Sequence, residues 1–207
     1  MKTANFGHSP GLRSCRETFK VRDESAGFSL CDYWKWSGSD LLSNAQRGVI
    51  AEFLVAKVLG VNHSPRLEWG WYDLETEDKK KIEVKSAAYY QSWPQDKPSE
   101  IRFDIAPRKW FWDPVSNRSE SVETPERRSD AYVFCLLGDP ADLNPDPLIL
   151  DQWSFYVIRT CSINGLLELQ KTIRLEPLRK LVKEVTGRCE VKYPGLAGVI
   201  SEQLAIT

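Results

Sequence analysis

The pattern of apolar and polar positions divides the chain into a helix, a strand pair, a buried strand run and a helical end. The strongest helical signal runs from Asn44 to Leu59, with Ser43 as N-cap and Gly60 as stop. The next segment predicts a hairpin, with one strand over Trp69 to Leu74, a polar turn over Glu75 to Lys80 and a second strand over Lys81 to Ala87. Ile101 to Ile105 alternates and predicts a third strand. The unbroken apolar run Ala131 to Leu137 predicts a strand buried on both faces, and Trp153 to Ile158 predicts another beside it.

Leu178, Leu181, Val182 and Val185 fall at i, i+3, i+4 and i+7 and predict a helix from Pro177 to Val185, ended by Gly187. Shorter helices are expected at Ser29–Trp36 and Leu196–Leu204, with a helical turn at Ser162–Leu169 and a short strand at Thr172–Leu175. The prolines and charges between Pro107 and Arg128 predict a loop, as do those from Asp139 to Pro147. Residues 1–27 lack periodicity and are expected to form an irregular N-terminal extension, leaving residues 28–207 as a single domain. The element order predicts an α/β fold, a mixed central sheet flanked by helices.

Composition narrows the chemistry. The five cysteines form no CxxC pair, and two histidines cannot complete a zinc pattern with them, so any metal is expected on oxygen ligands. A net charge of −1 rules out a surface coated for non-specific DNA binding but leaves room for a local basic site. No apolar stretch is long enough for a membrane span, and the polar N-terminus lacks a signal-peptide core. The expected location is the cytoplasm, with no membrane partner.

Against that background three carboxylates stand out. Glu52 lies on the helix with Val49, Ala56 and Leu59 at three, four and seven residues, a costly setting for a charge unless it is paired or metal-bound. On the strand Lys81 to Ser86, Ile82, Val84 and Ser86 share one face, and Glu83 and Lys85 share the other. The hairpin brings Asp73 close to Glu83. Two adjacent carboxylates repel, and a divalent cation relieves that. Mg²⁺ suits such oxygen ligands. Asp73 and Glu83 would hold it, Glu52 would reach in from the helix, and Lys85 would face a phosphate and its attacking water. A buried salt bridge for Glu52, and a solvated face for Glu83 and Lys85, are the plainer alternatives.

A carboxylate on a helix, then Asp, then Glu-x-Lys on the next strand resembles the PD-(D/E)XK phosphodiesterase superfamily with its restriction-endonuclease-like fold. Trp71 to Leu74 with Lys81 to Trp93 is similar to the motif hairpin, and Tyr33 to Glu52 resembles an uncharacterised bacterial branch. Tyr72 stands where the motif name has proline.

The resemblance covers residues 30 to 160. It implies a Mg²⁺-dependent nuclease (Mn²⁺ substituting) acting on nucleic acid, with DNA expected, as an endonuclease. Glu52, Asp73 and Glu83 would be metal ligands, with the Val84 carbonyl as a further contact, and Asp73, Glu83 and Lys85 the catalytic set. It also gives Gln91 a phosphate contact, with an ordinary loop amide as the alternative; Arg47 could reach a phosphate too, with a helix-surface salt bridge as the plainer alternative. A homodimer follows by analogy, since duplex cleavage needs two sites. The alternative is a restriction-endonuclease-like binding or assembly module with little catalysis. Trp110-Phe111-Trp112 beside Arg108 and Lys109 would suit unpaired bases, although core packing explains most tryptophans.

Overall fold

The structure is a computed structural model that describes residues 11–205, save 67, 69, 114, 115 and 117. In chain order the first elements are β1 (Thr18–Val21), β2 (Glu24–Ser29), α1 (Leu30–Gly38), α2 (Asn44–Leu59), β3 (Leu74–Glu75) and β4 (Lys81–Ala88). Then follow β5 (Arg102–Asp104), β6 (Arg108–Asp113), β7 (Arg118–Glu126), β8 (Ala131–Leu137) and β9 (Trp153–Arg159). The end of the chain is α3 (Thr160–Leu167), β10 (Thr172–Arg174), α4 (Leu175–Thr186) and α5 (Leu196–Ala205).

The central sheet has four strands in the order β3-β4-β8-β9. β4 runs parallel to β8, while β3 and β9 are antiparallel to their neighbours, so the sheet is mixed. All seven residues of β8 are buried, as expected for a strand covered on both faces. On one face Ile82, Val84, Val133 and Val157 pack against Ala51, Leu54 and Val55 of α2 and Leu196, Val199 and Ile200 of α5. On the other, Tyr132, Phe134 and Ile158 pack against Phe103, Ile173, Ile163 and Leu178. The fold is therefore mixed α/β with helices on both faces. Among the described residues no helix is long and apolar enough to cross a membrane.

α2 has the expected bounds, because its ends carry local stop signals. The Ser43 hydroxyl accepts from Gln46 N, and Gly60 adopts φ 71°, a conformation that costs glycine little.

Three expectations are corrected. The first concerns the irregular N-terminal extension. Its residues 1–10 lie outside the described part, but residues 18–29 form the β1–β2 hairpin. Arg22 and Asp23 both take positive φ at its turn, a role usually given to Asn-Gly, and hardly any of its side chains is sheltered, so no burial pattern marks it. The second concerns the strand expected over Trp69 to Leu74. Trp69 lies outside the described residues, and regular pairing is confined to Leu74 and Glu75 at the sheet edge.

The third concerns the loop expected over residues 107–128, where β6 and β7 pair as a long antiparallel hairpin instead. The aromatic run Trp110–Trp112 favours strand, and Pro125 is tolerated because each strand of a two-stranded ribbon has a free edge. Glycine is absent there, so the usual turn signal is missing.

Arg127 fixes this hairpin's exit to the body of the fold. Its guanidinium donates to Ile105 O (2.6 Å), Asn164 Oδ1 (2.8 Å), Glu168 O (2.7 Å) and Gln170 O (2.8 Å). Arg127→Met keeps most of the stem but strands these acceptors. The expected loss is about 3 kcal/mol of unfolding free energy, measured by urea denaturation. A loss below about 1 kcal/mol would mean that water replaces the guanidinium freely.

Candidate metal-dependent catalytic site

The site grows out of the two faces of β4. Ile82 is fully buried and Val84 nearly so, both toward α2. The same alternation turns Glu83 and Lys85 to the opposite face, where they form an ion pair. In the parallel register Glu83 lies beside Tyr132, and Lys85 beside Phe134. The pair is largely sheltered, with side-chain exposures of 17% for Glu83 and 23% for Lys85.

Asp73 is held on the rim of β4 by the backbone. Its N–H donates to Ile82 O at 3.0 Å, and its Oδ2 accepts from Val84 N at 2.6 Å. Val84 therefore serves the site through its N–H while its side chain belongs to the core. Among the described residues nothing donates to Asp73 Oδ1.

Glu52 approaches from α2, on the far side of the sheet, around the β3 edge. Its carboxylate is clasped by Arg66, which donates from Nη2 to Oε1 at 2.8 Å and from Nε to Oε2. Asp73 lines two concavities. One, of about 380 Å³, also holds Glu83, Lys85, Arg108, Trp110 and Trp112. The other, of about 480 Å³, holds Glu52, Arg66 and the apolar Val49, Phe53 and Leu74.

The charges of these groups are coupled. Burial pushes the Glu83 carboxyl above the ordinary glutamate range; Lys85 partly offsets this, and Asp73 adds to it. Burial acts to lower the Lys85 pKa, but Glu83 and Asp73 outweigh it and hold the ammonium above its ordinary value. Burial likewise raises Glu52, with the hydrogen bond from Arg66 opposing and Asp73 contributing. The Tyr132 phenol is pushed well up by burial and then by Glu83. Two carboxylates, Asp73 and Glu83, thus face the Lys85 ammonium in a sheltered place, with Arg108 as a further cation acting on the pair.

That donor set suits a hard divalent cation carried by one or two carboxylates and water. Asp73, through Oδ1, and Glu83 provide that minimum. Among the described residues no three metal-ligating side chains are arranged around one point. Glu52 joins the set only when Arg66 releases it.

Arg47 and Gln91, 44 residues apart, meet at 2.7 Å (Arg47 Nη1 to Gln91 Oε1). Arg47 also donates to Leu42 O (3.2 Å) and Asn44 Oδ1 (2.7 Å). It is 4% exposed, its Nε has no partner, and among the described residues it pairs with no carboxylate. Burial lowers its pKa. This cluster borders a separate concavity of about 340 Å³ beside Ser86 to Ala88, downstream of Lys85 on the same strand.

Several contributors are not visible in the sequence pattern. Arg66 sits in an aperiodic segment, with no signal linking it to Glu52. Arg108 acts electrostatically on both Glu83 and Lys85 from a region with no legible strand. Tyr132 follows from the parallel register alone.

The raised Glu83 pKa has a checkable sign. A carboxyl whose folded pKa exceeds its unfolded value binds more protons when folded, so its contribution to stability is lost as pH rises through that window. Without divalent metal, wild-type melting temperature should fall as pH rises from the ordinary glutamate range toward neutrality, with Glu52 acting in the same direction. Glu83→Gln should flatten that slope without removing it. Melts followed by circular dichroism in EDTA test this, and parallel slopes for the two proteins would contradict it. No protein-family model, curated protein or solved structure matches the chain, so the side chains themselves carry the case for a function.

Proposed function

We propose that the chain is a Mg²⁺-dependent phosphodiester hydrolase acting on DNA, of the restriction-endonuclease-like kind that its motif resembles. One observation carries this reading: Asp73, Glu83 and Lys85, two carboxylates and an ammonium, line a single open cavity. A structural ion pair needs neither the extra carboxylate nor the opening.

The roles follow from position. Asp73, anchored by the Val84 N–H, presents Oδ1 to the cation, and Glu83 presents the second carboxylate. The Val84 carbonyl and Glu52 are additional ligands in this reading. A cation held by Asp73 and Glu83 would lend charge to a phosphoryl oxygen and would acidify a water. Lys85 exchanges Glu83 for the phosphate or the attacking water, donating a proton in hydrogen bonds that strengthen as negative charge develops. Arg108 adds positive potential at the mouth. Arg47, with Gln91 orienting it, takes a neighbouring backbone phosphate, since a buried guanidinium without a carboxylate invites an anion.

A binding module without catalysis is the second reading. The internal closure of Glu52 on Arg66 and of Glu83 on Lys85 favours it.

Three variants separate the readings. Asp73→Asn should weaken Mn²⁺ binding in calorimetry, and an unchanged affinity would remove Asp73 as a ligand. Glu83→Ala should abolish Mg²⁺-dependent cleavage with the circular-dichroism spectrum retained, and the wild type should be silent in EDTA. Lys85→Met should keep metal binding, or tighten it because a competing cation is gone, while single-turnover cleavage slows about 10²-fold or more. A wild type that binds DNA but cuts nothing across metals and substrates, with Lys85→Met identical to it, would establish the module. A further test concerns Arg47→Met. It should weaken DNA binding without altering Mn²⁺ affinity, because Arg47 lies outside the metal cluster.

A further inference from the structure

The β6–β7 hairpin forms one wall of the cavity that holds Asp73, Glu83 and Lys85, and its two faces differ in kind. Phe111 points inward and is buried beneath Arg128, whose guanidinium carbon lies 3.9 Å from the ring centroid. Arg128 in turn holds Glu120 through two bonds of 2.8 Å and Glu126 through one of 2.6 Å. Glu120 sits directly across from Phe111 in the ladder. On the inner face these carboxylates are therefore committed to Arg128.

The outer face is different. Alternation places Trp110 and Trp112 together there. Their cross-strand partners are Ser121 and Ser119, small and uncharged. Trp110 is 70% exposed and Trp112 39% exposed. Among the described residues neither indole stacks on another ring or a cation. Arg108 and Lys109 precede them on the strand.

We infer that this face is a stacking platform for unpaired bases of single-stranded DNA, which it delivers to the adjacent catalytic cavity; the inference rests on the hydrolase reading and gives that site its substrate class. Indoles two residues apart on a strand lie about 6.8 Å apart. That is twice the ~3.4 Å rise between bases within one strand of a duplex. A duplex base is also already covered by its neighbours. An extended, unpaired strand offers bases at the wider spacing with their faces free. The serines leave room and polar contacts beside each ring. Arg108, which lines the cavity with Glu83 and Lys85 and pairs with Asp104 at 3.3 Å, suits the backbone of such a strand. A hydrophobic protein partner would be expected to meet an apolar rim, and the rim here is polar and charged, carrying Ser119, Ser121, Arg108 and the acidic Glu123.

The test uses the full chain in EDTA, where a metal-dependent enzyme cuts nothing. Binding of labelled oligothymidylate, oligouridylate and a blunt duplex of equal length is followed by fluorescence anisotropy. Trp110→Ser with Trp112→Ser should weaken oligothymidylate binding about 25-fold or more, at roughly fivefold or more per lost stacking ring. Duplex affinity should change less than about twofold, within the usual range for an unstacked contact. Trp110→Phe with Trp112→Phe keeps two rings on the strand and should restore most of the affinity. Equal losses on single strand and duplex, no loss on either, or failure of the phenylalanine pair to rescue would overturn the platform. Preference for oligouridylate with the same dependence would overturn the DNA assignment, and wild type that binds no oligonucleotide would leave the face to a protein. Cleavage assays in Mg²⁺ keep the two readings apart. Lost single-strand binding in a protein that never cleaves supports the platform and removes the hydrolase. Intact cleavage with no loss of binding removes the platform alone.

Discussion

The two-residue period of β4 is the constraint on which the rest depends. One strand must supply hydrophobic contacts to α2 on one face and charge on the other. Ile82 and Val84 satisfy the first requirement so thoroughly that a one-residue slip of register would expose both and bury Glu83 and Lys85 under the helix. The parallel pairing with β8 and the antiparallel pairing with β3 lock that register from both sides. The backbone of β4 does further work, because its Val84 N–H anchors Asp73. Position, charge and scaffold in the site thus come from the same eight residues.

Burial and the closeness of like charges separate this cluster from an ordinary surface ion pair. An exposed pair contributes little to stability and implies nothing about ligands. Here desolvation raises both Glu83 and Glu52, and Asp73 raises each of them further. A structure selected for stability alone would gain from replacing one carboxylate with an amide. Under the proposed function, three acids around the β3 edge would suit a bound cation, since the repulsion that costs folding energy would become affinity when the charge arrived.

Most of the scaffold was legible because its signals are local. The bounds of α2 rest on Ser43 and Gly60, β8 on seven consecutive buried apolar residues, and α4 on its heptad-spaced leucines and valines. Asp73, Glu83 and Lys85 could be grouped because one hairpin relates them. What escaped depends on tertiary partners. The β6–β7 ribbon has one buried residue in six on β6 and none on β7, so no alternation distinguishes it from a loop. The Arg66–Glu52 pair spans a turn of no regular form, and the Arg47–Gln91 contact spans 44 residues. Neither can be read from periodicity. The apolar face assigned to Glu52 was half right: Ala56 is buried, but Val49 is exposed at the groove that also receives Arg66.

The pairing of Glu52 with Arg66 need not oppose a role at the metal. The two partners are unequally sheltered, Arg66 at 36% side-chain exposure and Glu52 at 11%. On release, Arg66 regains water and has Glu68 within 3.7 Å as an exposed alternative. Glu52 has no such recourse: its burial makes an unpaired charge expensive, so it will follow the nearest cation. Asp73 lines both concavities and sits between that carboxylate and Glu83. A cation bound at Asp73 would therefore compete with Arg66 for Glu52 at small cost to Arg66. Under the proposed function the guanidinium would serve as the counter-charge that keeps a buried carboxylate ionised and in place around the sheet edge until a metal took over.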